Sequence, residues 1–396
     1  MNKPELLAPA GDMECLKTAV RFGADAVYVG GPFMQLRAQA AGFDNDTLAE
    51  ASEYVHRFGK KLYVTANSFA KNDEINKIEK YAEFLYSIGA DAAIVSDLGA
   101  IAAMRAAEPR LEIHVSTQAN CQNYKCAEVY RSMGASRVVM ARENSLREIA
   151  ELHRLVPELE IEAFVHGAMC MSYSGRCMLS TFTTGRSANR GECAQPCRWQ
   201  YHIVEQKRPN EFFPVEQSEN GLAVLSSQDL NCMPFVDKLI EAGVSSLKIE
   251  GRMKSPYYVA TVVNAYRMRI DGSAPIELLE NEVCCVSHRP YCSGFYFGKI
   301  KPYLPDDGAY IRECTYAAIV FEKSENGRVK IEQRNLFCVG DELEVVRPGT
   351  VGLKFTVEEI ENTDGESVSR ANHAKELLFV NCPLELEPGD MLRIRH

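Results

Sequence analysis

The sequence predicts an α/β fold. It is a (β/α)8 TIM-like barrel with a long cysteine-rich insertion after strand seven, followed by a small C-terminal all-β barrel domain. Three observations carry this. Through the first 255 residues, short apolar runs alternate with helix-period segments. The alternation breaks once, over about residues 167–244, directly after the seventh run. From about residue 305 the chain turns to short strand-like runs divided by turn residues.

Glu5 to Ala10 reads as the first strand and Cys15 to Phe22 as the helix after it. Asp25 to Gly31 is the second strand, with a helix near Asp46 to Phe58. Lys61 to Ala66 and Ala90 to Ser96 follow, with helices from Glu74 to Ile88 and Leu98 to Ala107. Glu112 to Ser116 and Ser136 to Ala141 are strands five and six, with helices around Ala127 to Met133 and Ser145 to Leu155. Glu160 to Val165 is strand seven, and Ser245 to Ile249 is strand eight before a long helix from Ser255 to Ile270. Strands joined by single helices pair in parallel through right-handed crossovers. Eight such units close a barrel over residues 1–275; a doubly wound open sheet is the competing architecture. The excursion replaces the helix expected after strand seven. It falls at the C-terminal ends of the strands, where barrels build active sites, and long insertions are usually functional.

A linker over residues 276–309 leads to the last domain, residues 310–396. Its strand-like runs are Ala317 to Phe321, Arg328 to Ile331, Glu342 to Val346, Phe355 to Ile360, Leu377 to Val380 and Met391 to Ile394. Turn chemistry such as Asn326-Gly327, Asp364-Gly365 and Pro388-Gly389-Asp390 separates them. This pattern is that of a small barrel or sandwich.

Charge narrows the function. A net charge of −10 excludes a nonspecific nucleic-acid binder acting through overall charge. The last domain holds 11 lysines and arginines against 16 aspartates and glutamates, which argues against an RNA grip by that domain alone. No run of 18 apolar residues exists, so no ordinary membrane-spanning helix is expected. Met1 to Asp12 holds Glu5 and Asp12 around a short apolar patch, unlike a secretory signal, so a cytoplasmic location is expected.

A cytoplasmic chain keeps thiols reduced, so clustered cysteines point to metal or catalysis. Of 14 cysteines, five fall between residues 170 and 232: Cys170, Cys177, Cys193, Cys197 and Cys232. The scattered ones, such as Cys15, Cys121, Cys126, Cys284, Cys285, Cys292, Cys314, Cys338 and Cys382, read as buried apolar thiols. Four thiolates at one point suit tetrahedral zinc or an iron–sulfur cluster. Structural zinc favours short paired spacings, whereas six residues separate Cys170 from Cys177 and fifteen separate Cys177 from Cys193. Cluster, zinc and no metal all remain open on spacing alone.

The segment Glu162-x-Phe-x-His166-Gly-Ala-x-Cys170-x6-Cys177-x-Leu-Ser180 resembles the signature of the U-32 peptidase family, also called collagenase-like. Leu6 to Gly11 and Ser245 to Ser255, with Lys248, Glu250 and Arg252, resemble the same family, and the tail is similar to the small barrel appended in some members. The resemblance implies a [4Fe–4S] cluster, because several members hold one by Cys-x6-Cys-x15-Cys-x38-Cys. Cys170, Cys177, Cys193 and Cys232 reproduce all three gaps, leaving Cys197 as a neighbour. It also implies oxygen-independent RNA hydroxylation, forming 5-hydroxyuridine at the tRNA wobble position with a small anionic, prephenate-like oxygen donor. Other members hydroxylate a ribosomal RNA cytidine or a ubiquinone precursor, and some work in pairs with a paralogous subunit.

Charged residues at barrel strand ends are the usual substrate-facing positions. Gln118, Asn120, Arg142 and Glu143 follow strands five and six, and Lys248, Glu250 and Arg252 end strand eight. Glu162 and His166 share one face of strand seven. Glu162, His166, Lys248 and Glu250 are the candidate catalytic groups; a structural histidine and an internal Lys248–Glu250 ion pair are the plain alternatives. Arg176, Arg186, Arg190 and Arg198 crowd the excursion, as a solvated basic loop or as a patch for phosphate or carboxylate. With Gln118, Asn120, Arg142 and Arg252, the arginines Arg176 and Arg186 are candidate substrate contacts, and Tyr173 and Trp199 can stack a base or pack over the metal site. Gly30-Gly31 needs no more than a tight turn.

The competing functions are a peptidase, as the family name says, and a non-catalytic cluster protein serving a second subunit. No His-Glu-x-x-His helix and no Gly-x-Ser-x-Gly elbow supports hydrolysis.

Overall fold

The computed structural model describes residues 3–36, 42–170, 172–199, 202–204, 212–214, 228–298 and 310–396. It divides into two compact units. One comprises residues up to Val20, Ala24–Lys254 and Arg289–Tyr310; the other comprises Arg21–Gly23, Ser255–His288 and Ile311–His396.

The first unit is the closed barrel. Strands β1 (Glu5–Pro9), β2 (Ala26–Gly30), β3 (Lys61–Ala66), β4 (Ala92–Val95), β5 (Glu112–Val115), β6 (Arg137–Val139) and β7 (Glu160–Ala168) pair in parallel in sequence order. The Ser246–Ile249 strand closes the ring, pairing with β7 at Ser246↔Glu162 and with β1 at Glu5↔Ser246. Closure overrules the open-sheet alternative. Leu7, Ala26, Tyr28, Tyr63, Ala92 and Ile94 form an apolar cluster inside the barrel. Residues of opposite parity, such as Leu6, Val27 and Leu62, are fully buried beneath the helices.

Helices α1 (Met13–Arg21), α2 (Asn45–Arg57), α3 (Ile75–Ser87), α4 (Leu98–Ala107), α5 (Tyr124–Ser132) and α6 (Leu146–Leu155) fill the crossovers. Short polar side chains set where several begin. Asp44, Asp97 and Asn123 each accept a first-turn amide, and Ser145 with Glu148 forms a capping box.

Parts of the excursion are described. It opens with helix α7 (Leu179–Thr184) and returns as a strand, Asp229–Asn231, antiparallel to β7 with Asp229↔Ala168. Helix α8 (Val236–Glu241) then precedes the closing strand, so the seventh crossover does contain a helix. It is short, too short for periodicity to reveal it. Tyr291–Cys292 adds a further strand to the barrel sheet beside Asp229–Asn231, and Asp229 accepts a buried Arg289 guanidinium at 2.7 Å. Part of the expected linker therefore belongs to the barrel; residues 299–309 lie outside the described residues.

In the second unit, helices α9 (Pro256–Asp271) and α10 (Ile276–Val283) accompany an eight-stranded antiparallel sheet. A buried arginine explains why α10 belongs here and not to a linker: Arg393 donates to both oxygens of Glu282 (2.8 and 2.6 Å) and to Glu344. Ala317, Ile331, Leu343, Leu378 and Leu392 centre its core. The run expected from Phe355 to Ile360 is two strands, Thr350–Thr356 and Ile360–Asn362. The domain is all-β as expected, its strands forming the eight-stranded antiparallel sheet and a separate two-stranded ribbon. Turn signals give strand number, not which ends meet.

Candidate functional site at the barrel mouth

Two polar layers stack within the barrel. The lower layer is a closed set of ion pairs. Arg137, at the start of β6, reaches Glu160 at 2.6 Å, Glu162 at 3.3 Å and Glu5. Tyr63 and Ser246 also donate to Glu5, at 2.7 and 2.8 Å. Above them, Lys248 donates to Glu162 at 2.6 Å. Glu162 is wholly buried, so both oxygens are taken by cations. Burial pushes its carboxyl pKa up, but Lys248 and Arg137 outweigh burial and hold it below the usual range. Burial lowers the pKa of His114, beside this set. Arg137, Glu5 and Tyr63 escaped sequence reasoning, although an arginine inside an apolar strand was a usable signal.

The upper layer is a cavity of about 170 Å³ at the C-terminal strand ends. Tyr28, Thr65, Asn67, Ser116, Gln118, Arg142, Phe164, Lys248, Glu250 and Arg252 line it from the barrel. Tyr173, Cys170, Cys177, Cys193 and Cys197 line it from the excursion. Arg142 lies over the Phe164 ring at 4.0 Å, 3.7 Å from Glu250, and donates to the Ala168 carbonyl. The Lys248 ammonium sits over Tyr28 at 4.4 Å, so Glu162 anchors a cation that faces the cavity. Arg252 is buried and donates to Thr65 at 3.0 Å. Neutral lining groups such as Thr65, Asn67 and Ser116 carry no charge and gave no signal in the sequence.

The excursion is fastened over this mouth. Glu143 accepts the Ser174 amide at 2.8 Å. Gly175 (φ +72°) packs so tightly on the Gln118 carbonyl that a Cβ would fall 2.2 Å from its oxygen. Arg190 donates to the Phe69 carbonyl and to Glu74, at 2.6 and 2.8 Å, so it is an anchor and not a free cation.

The other expected residues divide. Gln118, Arg142, Tyr173, Lys248, Glu250 and Arg252 meet in the cavity. Glu162 lies beneath it, a buried counter-ion with no surface to offer a substrate. His166 does not line it; this buried ring packs on Tyr291, with a 3.3 Å contact between Nε2 and the phenol oxygen. Asn120 adopts φ 57° and accepts from Gln122 at 2.7 Å, outside the cavity. Arg176 is exposed, outside the lining. Arg186 lines an adjoining cavity of about 290 Å³ with Cys193 and Gln195. The Arg198 side chain lies outside the described residues.

The thiols divide as well. Cys170, Cys177 and Cys193 share the cavity, joined by Cys197. Cys232 does not: its amide donates to the Val165 carbonyl at 2.9 Å, within β7. Its side chain is fully buried, and burial, with Cys292 nearby, pushes its pKa well above the ordinary value. Among the described residues no three metal-ligating side chains converge closely enough to hold an ion as they stand. Cys170, Cys177 and Cys193 line one cavity, and Cys232 is not among its lining residues. Of the scattered thiols, Cys15, Cys121, Cys285, Cys314 and Cys382 are buried as expected, while Cys126, Cys284, Cys292 and Cys338 are only half-buried.

Sequence comparison decides the lineage. The profile of peptidase family U32 matches residues 11–303, and that of the family's C-terminal domain matches residues 312–393. The chain belongs to peptidase family U32. The tRNA hydroxylation protein P1 of Bacillus subtilis is 38% identical over 99% of this U32 chain and 95% of its own length. The 23S rRNA 5-hydroxycytidine C2501 synthase of Escherichia coli is 38% identical over 68% of this chain and 40% of its own. A protein named collagenase from Porphyromonas gingivalis is 31% identical over 99% and 98%. No helix among the described residues is long and apolar enough to cross a membrane.

Proposed function

We propose that this chain is an RNA hydroxylase, most specifically one that forms 5-hydroxyuridine at the tRNA wobble position, and that the barrel-mouth cavity is its active site. The observation that carries the reading is the cavity itself: Lys248, Arg142 and Arg252 together with Cys170, Cys177 and Cys193, in a chain whose full-length relative is a tRNA hydroxylation protein. Clustered cations suit an anionic co-substrate, and a carboxylate oxygen donor of the prephenate type is the proposed one. Arg142 and Arg252 would orient it by hydrogen bonds to its carboxylates. Lys248, held by Glu162, would hold a proton or neutralise charge at the reacting oxygen. A [4Fe–4S] cluster on the cavity cysteines would supply redox or Lewis-acid chemistry. Zinc is the competing metal.

The peptidase reading rests on the collagenase relative. The cavity opposes it. No histidine lines it among the described residues, so its thiols lack the imidazole base that activates a protease nucleophile. Deleting the gene and analysing tRNA nucleosides by mass spectrometry tests the proposal. Loss of hydroxyuridine-derived nucleosides is expected; unchanged nucleosides in a strain lacking every family member remove it.

A further inference from the structure

We propose that the exposed face of α7, with Tyr173 and Trp199, is a stacking platform for single-stranded RNA, and that Arg186 beside it receives a backbone phosphate. This rests on the RNA reading above and adds where the strand lies.

Phe182 is 83% exposed, although it sits on a helix with a fixed position. Ser180, two residues away on the opposite face, is fully buried and accepts the Ala194 amide at 3.0 Å, tying α7 to the Cys193 segment. The Phe182 amide bonds to the Met178 carbonyl at 3.0 Å, so the two side chains share a face, and Met178 is 49% exposed. Tyr173 is 63% exposed while also lining the cavity, and Trp199 is 48% exposed. Large apolar groups held out to water in this way mark a contact surface.

Charge selects the partner. Residues 170–199 contain four arginines and one glutamate, against a chain total of −10. One of the four, Arg190, is spent on Glu74. Arg186 is different: its Nη2 is buried in the adjoining polar cavity with no hydrogen-bond partner. Spaced aromatics with arginine among them suit unstacked bases and phosphates, the pattern by which proteins hold single-stranded RNA. An apolar protein partner would leave that guanidinium unmatched.

The test uses the intact, metal-replete protein and a short RNA hairpin with uridines in its single-stranded loop. Trp199 is the only tryptophan, so its emission reports binding at the platform. The hairpin should quench it, and a fully paired duplex should not. Phe182→Ala should weaken hairpin binding about tenfold, and Phe182→Trp or Phe182→Tyr should keep it, with unchanged thermal melting. Arg186→Gln should lower the salt slope of binding by about one. Wild-type affinity for Phe182→Ala, or equal loss for hairpin and duplex, overturns the platform. So does altered self-association of Phe182→Ala with RNA affinity intact, which would make the face a protein contact. If the hairpin binds as described but nucleosides are unchanged on deletion, the hydroxylase reading fails alone.

Discussion

The lower and upper halves of the barrel interior treat charge in opposite ways. Below, Glu5, Glu160 and Glu162 surround Arg137 and Lys248, and each of these carboxylates meets a cation. Above, Arg142 meets Glu250 only at 3.7 Å, and thiols and neutral oxygens make up much of the remaining lining. The lesson is that one element serves both layers: Lys248 is paired downward and presented upward. Charge that is matched within the barrel specifies the fold, and charge left for a ligand lies at the mouth.

That contrast can be broken from either side. The largest effect is expected above. Cys170→Ala, Cys177→Ala and Cys193→Ala should each abolish iron and acid-labile sulfide in anaerobically purified protein. The spacing set further predicts that Cys232→Ala loses iron and Cys197→Ala keeps it; the reverse result would move the fourth ligand to the cavity thiol. Next in size is the lower layer. Glu162→Gln should cost about 3–5 kcal/mol in urea unfolding, because it leaves buried cations unmatched. The sign with pH follows. A carboxyl held low when folded adds stability that is present above its ordinary pKa and lost as pH falls through the folded value. The stability gap between wild type and Glu162→Gln should therefore begin to narrow below about pH 4 and close only below the lowered folded pKa. The smallest effect is expected from Arg142→Lys, which keeps charge but loses the fork. KM for the anionic co-substrate should rise about tenfold with stability unchanged.

Much of this was legible from residues. Period and punctuation place β3 at its observed bounds, Lys61–Ala66, and put the eight strands of the closed ring within a few residues, though not Asp229–Asn231 or Tyr291–Cys292. Lys248, Glu250 and Arg252 were recognisable because charge at a strand end has few structural uses. The failures are about depth. Glu162 and His166 do lie on one strand, but the β-bulge between Lys248 and Ile249 and the contact with Tyr291 send them to different surroundings. Spacing could not show that Cys232 pairs beside Val165, because the count of residues in a loop says nothing of the register in which its end rejoins a sheet. Phe182 carries no signal in the sequence, because its exposure depends on how α7 packs.

The most direct test of the account is complementation of a deletion strain, scored by tRNA nucleoside mass spectrometry. The variant is Lys248→Met combined with Glu162→Gln, which removes the cavity cation without stranding its buried partner. With protein level and iron content matched to wild type, the account predicts that the wild-type gene restores hydroxyuridine-derived nucleosides and the double variant does not. Full restoration by the double variant would contradict it.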